Sequence, residues 1–339
     1  MLESVILIGL WTIIFIYLIL ASIDFGANFY IFFGRAIGKK ESVIKTLKGY
    51  ISPISDVIHI CFVLFFAGIG VIIPETSYYL GSSLLFPGIL IILLIIVRSF
   101  ASAVSQLQAE RERLVAALDI MNGIISLIIP VLMSLVLAIS EGGFVVSVGS
   151  KVTLSLTNLV VSPYVWIEML LASISVIFIS SSYMVYYSHK QGMLAAREEM
   201  RKLALLLSVP IVMVSGLVFL GIQGHNPQHF DTLLNYSWMF LVSLVCFFLA
   251  ITLIFKRSNF FLAFLFVIFQ YFFAFFGYGI SHLPYLLYPY IKLQTTTRLS
   301  VNSVFDVILL MLILGVSTII PLLLLKLRIT VINRKLKEK

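Results

Sequence analysis

Residues 79–98 read YLGSSLLFPGILIILLIIVR, an uncharged run that closes on Arg98. Twenty residues at about 1.5 Å of rise each cover about 30 Å, the thickness of a bilayer's hydrocarbon core. The run reads as a membrane-spanning helix, and the arginine at its end as a charge that needs a partner inside the protein.

Runs of the same kind recur outward from it, at residues 5–33, 51–73, 113–139, 159–187, 203–223, 234–256, 259–281 and 300–327. The first is long enough to project beyond the bilayer or tilt within it. Of the 339 residues, 61% are hydrophobic and 11% charged, and the mean hydropathy is +1.11. That excludes a soluble domain. The expected fold is all-α: a polytopic membrane protein of nine transmembrane helices, arranged as two four-helix units plus one peripheral helix. With no Gly-, Ser- or Pro-rich linker, residues 1–339 form one membrane domain. Within it, 1–140 make the first unit and 141–285 the second, while 286–339 hold an outer loop, the ninth span and a basic tail. The opening Met1-Leu2-Glu3-Ser4 has no basic n-region, and the apolar run after it outlasts an h-region, so no cleavable signal is expected. Cys61 and Cys246 both fall mid-span and read as packing residues.

Basic residues set the orientation. Arg35, Lys39, Lys40, Lys45 and Lys48 follow the first span; Arg111 and Arg113 the third; Lys190, Arg197, Arg201 and Lys202 the fifth; Lys256 and Arg257 the seventh. Six more lie between Lys326 and Lys339. Nineteen of the 23 Lys and Arg thus fall on one side, which predicts an outer N-terminus and a cytoplasmic C-terminus. Nine alternating spans require the same arrangement. The net charge of +8 is therefore a topology and lipid-surface signal, with no soluble basic patch to bind nucleic acid.

Inside the spans, Asp24, Asp56, Arg98 and Asp119 fall near the cytoplasmic ends of four consecutive helices. An ionisable group in mid-span costs roughly 2.5–3.5 kcal/mol on insertion scales, so three acids and a base in one layer point to a working site. Arg98 can neutralise one carboxylate or share itself between two. His59, three residues beyond Asp56, shares its helical face and lies deeper, which makes Asp56 to His59 a short proton relay. The competing reading is a polar network that locks four helices together, with His59 a packing histidine.

A weaker grouping faces outward: Glu168, Asp306 and His282, with the Gly-, Pro- and Tyr-rich segment from Gly277 to Tyr290 folding onto an outer loop. His225 and His229, near Asp231, are expected to be solvated. No two histidines show the spacing of transmembrane haem or metal ligands, so no metal is expected in this chain. Residues 260–276 carry nine phenylalanines and read as lipid- or partner-facing, or as a seat for an isoprenoid tail.

The ordered motifs resemble subunit II of the cytochrome bd quinol oxidases, particularly the shorter Gram-positive type. Ile23-Asp24-Phe25-Gly26 is similar to that family's DGFDxG, and Ile51-Ser52-Pro53-Ile54-Ser55-Asp56 to its IAPxWD. Arg98 matches its span-3 arginine; Asp119, Ser126 and Pro130 match its span-4 pattern; Ser162-Pro163-Tyr164 stands where it has an NPF-like start to span 5. The likeness covers nearly the whole chain. Departures are Ala21 for the first aspartate of DGFD, Ser55 for the tryptophan, and His59 and Cys61 for a glutamine and a tryptophan.

The resemblance implies a non-haem subunit of a quinol:oxygen oxidoreductase in the bacterial cytoplasmic membrane. Redox chemistry would sit in a partner, subunit I, holding haems of b and d type or variants and oxidising quinol on the outer side. A small single-span third subunit and membrane lipids complete the expected partners. Protons for oxygen reduction would come from the cytoplasm, with Asp56 the first position to carry over, followed by Asp24 and Asp119. Two other classes compete. A proton-coupled secondary transporter would also use buried acids, but with broken helices and a repeated site. A purely structural scaffold would use the charges as an assembly lock.

Overall fold

A computed structural model describes residues 2–36, 58, 74–107, 111–148 and 151–292. In chain order these form α1 (Leu2–Ala36), α2 (Pro74–Leu107), α3 (Glu112–Ser140), β1 (Val145–Val148), β2 (Lys151–Leu154), α4 (Leu156–Val161), α5 (Pro163–Lys190), α6 (Leu194–His225), α7 (Pro227–Asn235), α8 (Ser237–Phe255), α9 (Phe260–His282), β3 (Tyr285–Leu287) and β4 (Ile291–Lys292). Seven of the helices, α1, α2, α3, α5, α6, α8 and α9, are long and apolar enough to cross a membrane. They coincide with seven of the nine runs read from the sequence; the runs at 51–73 and 300–327 lie outside the described residues, apart from Ile58.

Local chemistry explains where the helices begin and stop. Pro163 and Pro227 occupy first-turn positions of α5 and α7, where a missing N–H costs nothing. The Asn226 side chain caps α7 by accepting from the His229 N–H, and Asn259 caps α9 by accepting from Leu262. Gly192, at φ +71°, makes the turn between α5 and α6 in a conformation glycine adopts freely. Two boundaries differ from the hydropathy reading. The fifth run, expected to start at 159, splits into short α4 and then α5 at Ser162, whose extended backbone is the conformation a following proline favours. The sixth begins at Leu194, nine residues early, since the polar turn around Glu198 is helical outside the apolar stretch.

Half of the residues in the spans of α1, α3 and α5 are buried, against 22% for α2 and α6. These three helices are the centre of the bundle, and their contacts cross residue 140. The outward face of α2, with Leu85, Phe86, Ile89, Ile96 and Phe100, is exposed. α9 lies along α1, with Trp11 stacked on Phe275 at 5.0 Å and Phe15 edge-on to Phe272 at 5.5 Å. Phe260, Phe264 and Phe276 are buried. Much of the phenylalanine-rich stretch therefore packs within the chain, while Phe261 and Phe269 face outward.

Close helix approach depends on glycine. A Cβ on Gly26 of α1 would lie 2.2 Å from the Ser180 Cβ of α5, and one on Gly123 of α3 would lie 2.2 Å from the Phe32 Cβ of α1. Small residues at such crossings let backbones meet, and van der Waals contact drives association in lipid. Between α1 and α5, Ser180 Oγ also donates to the Ile23 carbonyl at 3.1 Å, and Tyr30 Oη to that of Ile177 at 2.6 Å. Gly123→Ala is expected to destabilise the bundle by about 1–3 kcal/mol, the usual cost of overpacking. A thermal midpoint at the wild-type value in the purified protein would contradict that.

Candidate functional site

Two ion pairs tie α1 to α2 and to α3 at one end of the bundle. Arg98 of α2 and Asp24 of α1, 4% and 5% exposed, are joined through Nη2 and Oδ2. The guanidinium lies 4.9 Å from the centre of the Phe25 ring, a cation–π contact in a dry setting. Asn28, one turn on, donates to the Asp24 carbonyl at 2.9 Å. Asp119 of α3, 7% exposed, accepts from Arg35 Nε at 2.8 Å.

The sequence reading placed three carboxylates around Arg98 and counted Arg35 only as a topology charge. The structure brings Asp24 to Arg98 and pairs Asp119 with Arg35. A signal for the second pair exists: Arg35 follows Asp24 by eleven residues, three helical turns, on one face of α1 and about 16 Å apart along its axis. The layer is therefore stepped, with the Asp24–Arg98 pair deeper and the Asp119–Arg35 pair nearer the helix ends. Asp56 and His59 lie outside the described residues. Ile58, between them, is buried in the cluster that includes Ala21, Phe25, Ile91 and Ile125, beside the deeper pair.

A polar stripe climbs α3 from the shallower pair. Asp119, Asn122 and Ser126 share a face at helical spacing and are all buried. Asn122 Nδ2 donates to Ser102 Oγ of α2 at 3.2 Å. Asn122 Oδ1 and Ser126 Oγ have no hydrogen-bond partner among the described residues. Buried polar atoms of this kind call for ordered water or a further polar group.

The opposite end holds a second cluster. Glu141, just past α3, is 2% exposed. It accepts from Tyr278 Oη at 2.5 Å and from Asn226 Nδ2 at 3.0 Å. His229 Nδ1 lies 2.8 Å from Glu141 Oε1 and His282 Nδ1 lies 3.5 Å from it. Burial alone would raise the Glu141 carboxyl, but hydrogen bonds and charge from His229 and His282 outweigh it and hold the group below the usual carboxylate range.

Here the sequence expectation needs correcting. His229 is buried at 5% exposure, not solvated. The Asn226 cap and Pro227 start α7, whose apolar face folds over the bundle end and carries His229 inward with Leu233. His225 is half-buried, stacked between Phe144 and Tyr164 at 4.9 and 5.1 Å. Glu141 was missed because nothing local in Ser140-Glu141-Gly142 distinguishes it from a loop acid. Glu168 is buried beside Tyr164 Oη at 3.2 Å, and His282 joins Glu141 instead of Glu168. Asp306 lies outside the described residues. Glu168, Tyr278 and His282 border an apolar cavity of about 1140 Å³ among α1, α3, α5, α6, α8 and α9.

Such a chain is a polytopic helical membrane protein with buried charge networks at both ends of its bundle. The sequence model of the cytochrome bd terminal oxidase subunit II family matches residues 2–330, and the chain belongs to that family. It is a subunit of a quinol oxidase, an oxidoreductase complex. A chain in the structure of bd oxidase from Geobacillus thermodenitrificans is 36% identical with a TM-score of 0.80, over 98% of this chain and 99% of that one. A "putative cytochrome bd menaquinol oxidase subunit II" from Bacillus subtilis (strain 168) is 27% identical over 291 residues, 83% of this chain and 82% of the relative.

Proposed function

We propose that this chain delivers protons from the cytoplasmic side to the oxygen-reducing centre of its oxidase, while holding the haem-bearing subunit I in the bacterial cytoplasmic membrane. In this reading the chain spans nine times, with the N-terminus outside and the basic C-terminal tail inside. Subunit I holds haems of b and d type or variants, and the electron donor is a quinol. The relative's description points to menaquinol. A small single-span subunit completes the complex. Protons taken from inside, together with quinol protons released outside, build a membrane potential without a pump.

The observation that carries the reading is the buried stripe Asp119, Asn122 and Ser126 rising from the Arg35 pair, with two of its oxygens unpaired among the described residues. A stripe of acceptors and donors along one helix face suits a chain of waters, and ionisable groups at membrane depth mark proton relays. Asp56 and His59 stand beside it in the sequence reading.

Asp56→Asn tests the path in the oxidase purified through a tag on this chain. The expected result is wild-type haem bands in the reduced-minus-oxidised spectrum with slowed quinol-driven oxygen uptake. Loss of the complex would favour the scaffold reading; unchanged uptake would remove Asp56 from the path.

A further inference from the structure

The geometry points to a metal site at the end of the bundle opposite the two ion pairs: Glu141, His229 and His282 bind a divalent ion of the zinc type. This site is separate from the proton path and does not depend on it.

Donor set and spacing come first. One carboxylate and two imidazoles offer ligand atoms that all lie within 4.8 Å of one another. Glu141 Oε1 is 2.8 Å from His229 Nδ1 and 3.5 Å from His282 Nδ1. Ligands at about 2.0–2.2 Å from a tetrahedral zinc are roughly 3.3–3.6 Å apart, so the His282 separation meets the requirement and the His229 ring would move outward slightly to admit the ion. Two imidazoles with one carboxylate form a set that zinc favours, with a fourth position left for water.

The hydrogen bonds around the cluster bear on the same site. Ser281 Oγ lies 2.8 Å from the Tyr278 carbonyl and 2.9 Å from His229 Nε2, which fixes the ring's orientation. His229 Nδ1 thereby faces Glu141, whose two oxygens lie 2.8 and 3.0 Å away. Glu141 already accepts from Tyr278 and Asn226, as an ionised carboxylate does. A ring nitrogen and a carboxylate facing each other in a buried site hold something positive between them, either a ring proton or a metal cation. His282 favours the cation. Its Nδ1 converges on the same oxygen at 3.5 Å, a second imidazole nitrogen facing the position an ion would take.

The surroundings match what metal ligands need. Ser281 fixes the His229 ring and Tyr278 orients the carboxylate, the outer-layer contacts that set tautomer and ligand direction. The three ligands come from the end of α3, from α7 and from the end of α9, so the ion would clip three elements together.

The test is elemental analysis of the intact oxidase complex, incubated with zinc chloride, desalted and normalised to haem. Wild type is expected to retain about one zinc more per complex than Glu141→Gln or His282→Gln, with haem content unchanged. Tyr278→Phe, which keeps all three ligands, is expected to weaken zinc binding about 10–100-fold, the usual effect of losing an orienting contact. Should a ligand variant fail to assemble, Tyr278→Phe decides. Zinc absent from wild type, or held equally by wild type and these variants, would overturn the site and leave a hydrogen-bonded Glu141–His229 pair in its place.

Discussion

Arg98→Leu is expected to abolish recovery of the assembled oxidase, and Asp24→Leu in the same chain to restore it. Arg98 and Asp24 are both almost fully buried and form an ion pair. Removing the arginine alone takes its positive charge from beside a buried carboxylate, and breaking a buried pair from one side costs about 3–5 kcal/mol. Replacing both charges by apolar side chains removes the attraction and the desolvation cost together, an exchange that is often neutral or stabilising. Haem recovered through a tag on this chain checks it. Little haem is expected from Arg98→Leu and near-normal recovery from the double variant. The double variant also separates two roles of the deeper pair. If it assembles and turns over normally, the pair is a lock; if it assembles and turns over slowly, the pair also serves the chemistry.

The second large effect is expected at the shallower pair. Asp119→Asn should assemble, because its partner Arg35 is 26% exposed at the side chain and reaches water when the carboxylate is neutralised. An exposed or half-exposed partner makes the stability loss small, about 1 kcal/mol or less. Quinol-driven oxygen uptake should nonetheless fall on the order of 10²-fold, the low end of what a positioned proton-transfer group contributes. Asp119→Glu keeps an ionisable group within reach of Arg35 and should retain more activity than Asp119→Asn. Equal loss from both would mean that the position needs a shape, not a proton.

What the sequence made legible follows from the physics of each signal. A span is written in about twenty contiguous apolar residues, so α1, α2, α3, α5, α6, α8 and α9 were all readable before any coordinates. Asp24, Arg98 and Asp119 stood out for the same reason, since a charge inside such a run is costly and visible. Pairing was less legible. Arg35 is the last-turn residue of α1 and lies in a basic cluster, which disguised it as a topology charge. Asp119 finds it because α1 and α3 meet at Gly123, a crossing distance that hydropathy does not encode.

The cluster at the opposite end of the bundle was harder still. Glu141, His229 and His282 are separated by 88 and 53 positions, and no local pattern links them. His229 looked like a loop residue because α7 is only nine residues long and amphipathic, too short and too polar to register as a span. Its burial arises from the Asn226 cap, three residues before it, and from Tyr278 and Ser281 on α9, distant in sequence. Glu168, read from the sequence as part of a weaker outward group, is buried. Its neighbour proved to be Tyr164, one turn away on the same helix.

The central claim is that protons reach the oxygen-reducing centre through this chain, by way of Asp119. Proton uptake during a single turnover tests it most directly: the fully reduced oxidase is mixed with oxygen and the medium's pH is followed with a dye. Asp119→Asn with full haem content should slow proton uptake in step with its loss of oxygen consumption. Uptake at the wild-type rate in that variant would place the path elsewhere and leave the Asp119–Arg35 pair a structural tie.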